Sequence, residues 1–122
     1  MERVDAGSEM KARLRADLLG AMKDRNQLDA RVIRSLVAAI DNAEAPALPG
    51  DRGSAVSHAF ATRSAEVERL WLSWPQVREI LAAEFQERER AAAGFDGLGR
   101  QDHAESLRAE ARVIQRYLAL ET

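Results

Sequence analysis

Apolar residues recur at helical spacing in four segments of this sequence, and this pattern restricts the fold more than any other feature. In the first segment Met10, Leu14, Leu18 and Met22 are four residues apart, with charged residues between them. Such spacing is typical of one apolar face on an α-helix. No stretch alternates with the period of two that a half-buried strand requires. The sequence therefore predicts an all-α fold.

Capping and turn residues limit the four segments. Ser8 is a plausible N-cap of the first helix. Before the third helix, Ser73 and Gln76 have the spacing of a capping box, and Pro75 occupies the first turn, where its missing N–H costs nothing. The predicted helices cover residues of about 8–25, 28–44, 74–96 and 101–120.

The stretch from residue 45 to 65 separates the second and third helices. It contains two of the three prolines and little periodicity, which predicts a long loop. Residues 66–72 are expected to form a short helical turn. The other two connections are short, and short connections favour antiparallel neighbours. We therefore expect a single helical domain over residues 1–122, with four helices arranged as two antiparallel hairpins.

Composition narrows the classes of function. The sequence has no cysteine, so disulfides and thiolate nucleophiles are excluded. Its first twenty residues carry scattered charges and no apolar core of signal-peptide length, and no later stretch approaches the roughly 18 apolar residues of a membrane span. A cytoplasmic protein without membrane contacts is expected. The net charge is −2, so nucleic-acid binding would require a local basic face.

Two blocks carry a resemblance to a known family. The first block, from Leu14 to Ala45, reads LRADLLGAMKDRNQLDARVIRSLVAAIDNAEA. The second block, from Gln76 to Leu120, reads QVREILAAEFQERERAAAGFDGLGRQDHAESLRAEARVIQRYLAL. In the order of their elements they resemble the successive hairpins of the GatB/YqeY family. Members of that family are free-standing small proteins or the tail region of the B subunit of glutamine-dependent tRNA amidotransferases.

The resemblance implies a non-catalytic helical module that binds tRNA or an amidotransferase subunit. The family label is carbon–nitrogen ligase activity with glutamine as the amido-nitrogen donor. Because the sequence contains neither an ATP-site motif nor an amidase nucleophile, we expect no intrinsic activity. Family members usually continue after Tyr-Leu into a smaller helical domain, whereas this sequence stops at Thr122. Functions of that domain are not expected here.

No residue pattern predicts a metal, cofactor or catalytic site. His58 and His103 lack metal-ligand spacing, so surface positions are expected for both. The glycines between Gly94 and Arg100 lack the Gly-Lys-Ser/Thr ending of a P-loop and indicate a turn between helices. Asp41 and Glu44, three residues apart, are expected to form solvated ion pairs rather than an acid-base pair.

Basic residues of the first hairpin could form a binding surface. Residues 1–45 contain eight basic and eight acidic residues, so a basic patch would have to arise by segregation onto one face. The alternatives are a surface that contacts RNA or a partner and a mixed, solvated surface. Arg34 lies within the apolar run VIRSLVAAI and is expected to be half-buried beside Glu84 or Glu110. The candidate residues are Lys11, Arg15, Lys23, Arg25, Arg31 and Arg34.

Trp71 and Trp74, with Leu70 and Leu72, form the densest apolar cluster outside the helical stripes. They either cap the bundle or provide a docking site for a protein partner. The second option supports an alternative function, a protein-interaction module without RNA contact. The sequence leaves open whether the chain forms homo-oligomers.

Overall fold

Four α-helices make up the fold of the described chain. The computed structural model describes residues 5–46 and 69–120. Within these ranges it contains no strand, and its helices are α1 (Ala6–Lys23), α2 (Gln27–Glu44), α3 (Trp74–Gly97) and α4 (Gln101–Leu118). The all-α prediction is confirmed, and each helix bound lies within two residues of its predicted position. Most of the predicted loop, residues 47–65, lies outside the described ranges.

The helices pair as two antiparallel hairpins, as predicted. The first hairpin consists of α1 and α2 and the second of α3 and α4, and α2 packs against both helices of the second hairpin. The interface is aliphatic, because each helix turns its apolar stripe inward. The largest fully buried apolar side chains are Leu14, Val32, Ile33, Leu36, Ile40, Val77, Leu81 and Ile114. No described helix has the length and apolar character needed to cross a membrane.

The helix caps show why α1 begins earlier than predicted. Asp5 is its N-cap, and the Asp5 carboxylate accepts a hydrogen bond from the Ser8 amide at 3.4 Å. The predicted Ser8 cap is wrong, because Ser8 already lies in the first turn. The capping box of α3 is confirmed: the Ser73 hydroxyl accepts from the Gln76 amide at 3.3 Å, and the Gln76 side chain accepts from the Ser73 amide at 2.8 Å.

The turn between α3 and α4 is a glycine turn. The Gly99 amide donates to the Asp96 carbonyl at 3.0 Å, and the Arg100 amide donates to the Phe95 carbonyl at 2.8 Å. These two bonds are those of a Schellman motif, which places one residue in the left-handed region. Gly99 is that residue, with φ +73°. The prediction of a helix–helix turn in this segment is confirmed.

A buried ion pair ties the open end of the first hairpin together. The Lys11 ammonium lies 2.6 Å from Glu44 Oε1 and 2.7 Å from Asp41 Oδ1. The Arg69 guanidinium reaches the same Glu44 oxygen at 3.0 Å. Glu44 is 1% exposed, so its carboxylate relies on these cations rather than on water. The expected solvated pairing of Asp41 and Glu44 is wrong for Glu44.

Residues 69–72 are not helical, in contrast to the predicted turn, because their backbone bonds to the first hairpin. The Leu70 amide donates to the Glu44 carbonyl at 2.9 Å, and the Ala6 amide donates to the Leu72 carbonyl at 3.0 Å. Residues 66–68 of the predicted turn lie outside the described ranges. These bonds fix the start of α3 against the start of α1.

Polar side chains join the two hairpins around the apolar interior. Arg88 of α3 donates to Glu110 at 3.0 Å and to the Ser35 hydroxyl of α2 at 3.1 Å. Tyr117 of α4 donates its hydroxyl to Asp17 of α1 at 2.6 Å. Burial, together with this hydrogen bond, raises the pKa of Tyr117 well above its ordinary value.

Gly7 packs against Glu44, which leaves no room for a side chain. A Cβ atom at residue 7 would collide with the Glu44 carboxylate and approach Leu72 Cδ1 at 3.2 Å. We expect Gly7→Ala to lower the free energy of unfolding by about 1–3 kcal/mol, as overpacking does. The matched control is Gly20→Ala on the same helix, where a Cβ would meet nothing within 4 Å. Alanine there should raise the free energy of unfolding by up to about 1 kcal/mol. Urea unfolding of both variants measures the difference, and equal effects would contradict the packing at Gly7.

Tyr117 is the single tyrosine of the sequence, so its ionisation can be followed by ultraviolet absorbance. Its raised pKa contributes stability that is complete below the unfolded value of about 10 and is lost as the pH rises above it. We expect the phenolate to appear well above pH ~10 in the folded protein. Asp17→Asn should move the titration to lower pH, because a neutral amide does not repel the phenolate. Asp24→Asn is the control, and an unchanged titration in Asp17→Asn would refute the contact.

Candidate nucleic-acid interface

The six basic residues of the first hairpin do not form a single surface. Lys11 must be removed from the set, because it is 7% exposed and bound between Asp41 and Glu44. Burial opposes its charge, but the hydrogen bonds that Lys11 donates to Asp41 and Glu44 outweigh this effect, and the pKa of Lys11 is raised. Its ammonium is therefore a structural cation. The other five residues are exposed: Arg15, Lys23, Arg25, Arg31 and Arg34.

The position of Arg34 differs from the predicted one. Arg34 is exposed rather than half-buried. Its predicted partners are held by Arg88, which lies 2.9 Å from Glu84 and 3.0 Å from Glu110. Arg88 lies on the side of α3 that faces the first hairpin, whereas Arg34 follows buried Ile33 by one position, about 100° around α2. The half-buried arginine of this interface is thus Arg88.

Three of the exposed arginines line one groove at the turn between α1 and α2. The groove has a volume of about 530 Å³. Arg25 comes from the turn, and Arg31 and Arg34 come from successive turns of α2. Other lining residues are Ala21, Met22, Asn26, Gln27 and Ala30. No aromatic side chain lines this groove in the described part of the chain.

The backbone of the turn determines where Arg25 lies. The Arg25 amide donates to the Met22 carbonyl at 3.2 Å, and the Asn26 amide donates to the Ala21 carbonyl at 2.8 Å. Arg25 has φ +57°, in the left-handed region. The Asn26 side chain then caps α2 by accepting from the Asp29 amide at 3.0 Å.

Most of the positive charge in the groove has no carboxylate partner within the described residues. Neither Arg25 nor Arg34 forms an ion pair or a side-chain hydrogen bond within residues 5–46 and 69–120. Arg31 binds Glu110 at 3.1 Å, yet Glu110 also binds Arg88. The nearby Asp29 carboxylate is held by Arg116 at 2.8 Å. The groove is therefore locally basic although the whole chain is slightly acidic.

The exposed side of α1 continues this surface away from the turn. Arg15, Leu19 and Met22 lie on successive turns of that side. Met22 lines the groove, and the exposed fractions of Leu19 and Met22 are 70% and 50%. Lys23 is exposed in the last turn of α1 but does not line the groove. The surface thus combines arginines with two exposed apolar side chains.

The two tryptophans lie at a different place. Trp74 is half-buried and packs against the core, whereas Trp71 is 53% exposed. Trp74 lines a second groove, of about 360 Å³, together with Glu9, Met10, Arg13, Arg78, Leu81, Tyr117 and Leu120. Of the two alternatives open from the sequence, Trp74 contributes to the core and Trp71 presents an apolar side chain at the surface.

The other titratable residues of the described ranges form structural contacts rather than a metal or acid-base site. Among residues 5–46 and 69–120, no group of three or more His, Asp or Glu side chains is placed to hold a metal ion. His103 stacks on Phe95 with ring centroids 5.0 Å apart, and His58 lies outside the described residues. The carboxylates that approach each other, Asp41 and Glu44, are bound to Lys11 and Arg69.

Comparisons of the chain with protein-family models, with curated proteins and with solved structures find no significant match. The resemblance to the GatB/YqeY family therefore depends on the two sequence blocks alone. The groove beside the α1–α2 turn lies within the first of these blocks.

Proposed function

We propose that this chain is a non-catalytic RNA-binding module of the GatB/YqeY kind, which binds tRNA through the groove at the α1–α2 turn. The observation that carries the proposal is the convergence of Arg25, Arg31 and Arg34 on that groove, two of them without a carboxylate partner in the described ranges. Arginine guanidinium groups bind phosphate oxygens in a bidentate manner, and they are weakly hydrated compared with lysine.

The lining of the groove favours the phosphate backbone over the bases. Single-stranded bases are usually bound by stacking on aromatic rings. The described lining offers Met22 and alanines instead. Contacts to phosphate would give affinity and orientation with little sequence preference. An adaptor that positions tRNA for another protein requires that kind of contact.

Binding by three arginines makes a quantitative prediction for salt. Each phosphate contact contributes a slope of about −0.7 to −0.9 in a plot of log affinity against log salt. Three contacts give a slope of about −2 to −3, which is a loss of at least ~15-fold in affinity between ~50 and ~200 mM salt. Fluorescence anisotropy with labelled tRNA measures this slope. A flat salt dependence, or no binding at low salt, would exclude the proposed function.

Charge reversal tests the location of the contact. Arg34→Glu should weaken tRNA binding by more than about fivefold and reduce the salt slope by about 1. Because Arg34 is exposed and unpaired in the described chain, this substitution should change the free energy of unfolding by less than about 0.5 kcal/mol. Arg90→Glu makes the same change of charge on the far side of α3 from Arg88. Equal losses in the two variants would indicate unspecific attraction rather than a groove.

A protein-interaction module without RNA contact is the second candidate. The observation in its favour is the groove beside Trp74, where Met10, Leu81 and Tyr117 provide apolar walls. Trp71, which follows in sequence the two residues that bond to Glu44, adds an exposed apolar surface. A bound amidotransferase subunit would cover such a surface with an apolar side chain of its own.

Salt and tryptophan substitution separate the two candidates. The affinity of apolar docking should change by less than about twofold across the salt range that weakens phosphate contacts. Trp71→Ala should reduce it by about tenfold or more, the loss expected of an interface tryptophan. The measurement is co-purification with purified amidotransferase subunits, quantified at two salt concentrations. Arg34→Glu is the control, and it should leave apolar docking unchanged. Wild-type affinity in Trp71→Ala would contradict this candidate.

A further inference from the structure

The fold contains the same turn twice, with different residues at its central position. In each hairpin the amide of the second residue beyond the first helix donates to the carbonyl three residues back, and the next amide donates to the carbonyl five residues back. These bonds join Arg25 to Met22 and Asn26 to Ala21 in the first hairpin, and Gly99 to Asp96 and Arg100 to Phe95 in the second. Both turns place one residue in the left-handed region, Arg25 at φ +57° and Gly99 at φ +73°.

The left-handed position favours glycine. In an L-residue with a side chain, Cβ comes too close to the backbone there, whereas glycine adopts this conformation freely. Glycine is the usual residue at this position of a Schellman motif, and asparagine is the next choice. The second hairpin follows this rule and the first does not. Arginine therefore lowers the stability of the first turn relative to glycine.

The side chain at this position reaches the binding surface. Arg25 lines the groove with Arg31 and Arg34, and its guanidinium has no hydrogen bond or ion pair inside the described ranges. It therefore contributes no contact that would compensate for the strained backbone within this part of the fold. Its charge is instead available to an anion in the groove.

We propose that Arg25 contacts a phosphate group of bound RNA, and that the chain retains arginine at this glycine-favouring position at the expense of folding stability. This inference rests on the proposed function, because it concerns the same groove. It adds that a substitution of Arg25 changes folding stability and RNA affinity in opposite directions. Because the same two hydrogen bonds define each turn, the turn of the second hairpin serves as a reference for the turn of the first.

Reciprocal substitutions test the claim about stability. Arg25→Gly should raise the equilibrium constant for folding by about three- to tenfold, measured by urea unfolding. Gly99→Arg should lower it by a similar factor. A Cβ atom at residue 99 would meet nothing within 4 Å, so that variant mainly reports the backbone effect. Equal or lower stability in Arg25→Gly would overturn the inference.

Binding to labelled tRNA tests the claim that Arg25 contacts a phosphate group. Arg25→Gly should bind about fivefold or more weakly at low salt, with a salt slope reduced by about 1. Arg25→Lys keeps the charge and the strained backbone but loses the bidentate geometry, so its stability should match that of wild type and its binding should fall less. Gly99→Arg should bind tRNA as wild type does, because it leaves the groove unchanged.

The outcomes separate this inference from the function on which it rests. If wild type shows no salt-sensitive binding, the proposed function fails and this inference fails with it. If wild type binds and Arg25→Gly binds equally well, the inference alone is overturned and the groove remains assigned. Weaker binding together with higher stability in Arg25→Gly supports it.

Discussion

The ion pair between Lys11 and Glu44 holds three parts of the chain in place. A carboxylate as deeply buried as that of Glu44 loses its hydration, at a cost of several kcal/mol, unless a cation meets it. Lys11 comes from α1, Glu44 from the end of α2, and Arg69 from the segment that leads into α3. Because Ser73 caps α3 only a few residues later, the same pair determines where the second hairpin starts.

The binding groove lies at the opposite end of the first hairpin. The turn at Arg25 and the pair at Glu44 are separated by the length of α2, 18 residues or about 27 Å. One end of the hairpin therefore uses its charges to hold the fold together, and the other end leaves Arg34 without a carboxylate partner within the described residues. This division allows charges in the groove to be replaced without loss of the fold, since substitutions at distant sites are nearly additive.

Helix positions followed from the sequence, whereas the placement of individual charges did not. Apolar spacing and the Ser73 capping box are local signals, so they predict helices well. The predicted surface positions of Lys11 and Glu44 are wrong because charged residues rarely belong to an apolar stripe, although Glu44 continues the spacing of buried Ile40 by four. The predicted half-burial of Arg34 is wrong because Arg34, although it lies between apolar residues in the sequence, projects from a different side of α2 than buried Ile33. Which arginine enters the interface depends on how α3 packs, and no local pattern encodes that.

The two helices of the second hairpin differ in length. α3 has 24 residues and α4 has 18, and Arg78 donates to the carbonyl of Leu118 at 2.9 Å. The groove beside Trp74 lies near this contact, and its lining comes from α1, α3 and α4 and from Leu120. Tyr117 forms part of its wall and also binds Asp17 of α1, so a change in this groove would reach a contact between the two hairpins.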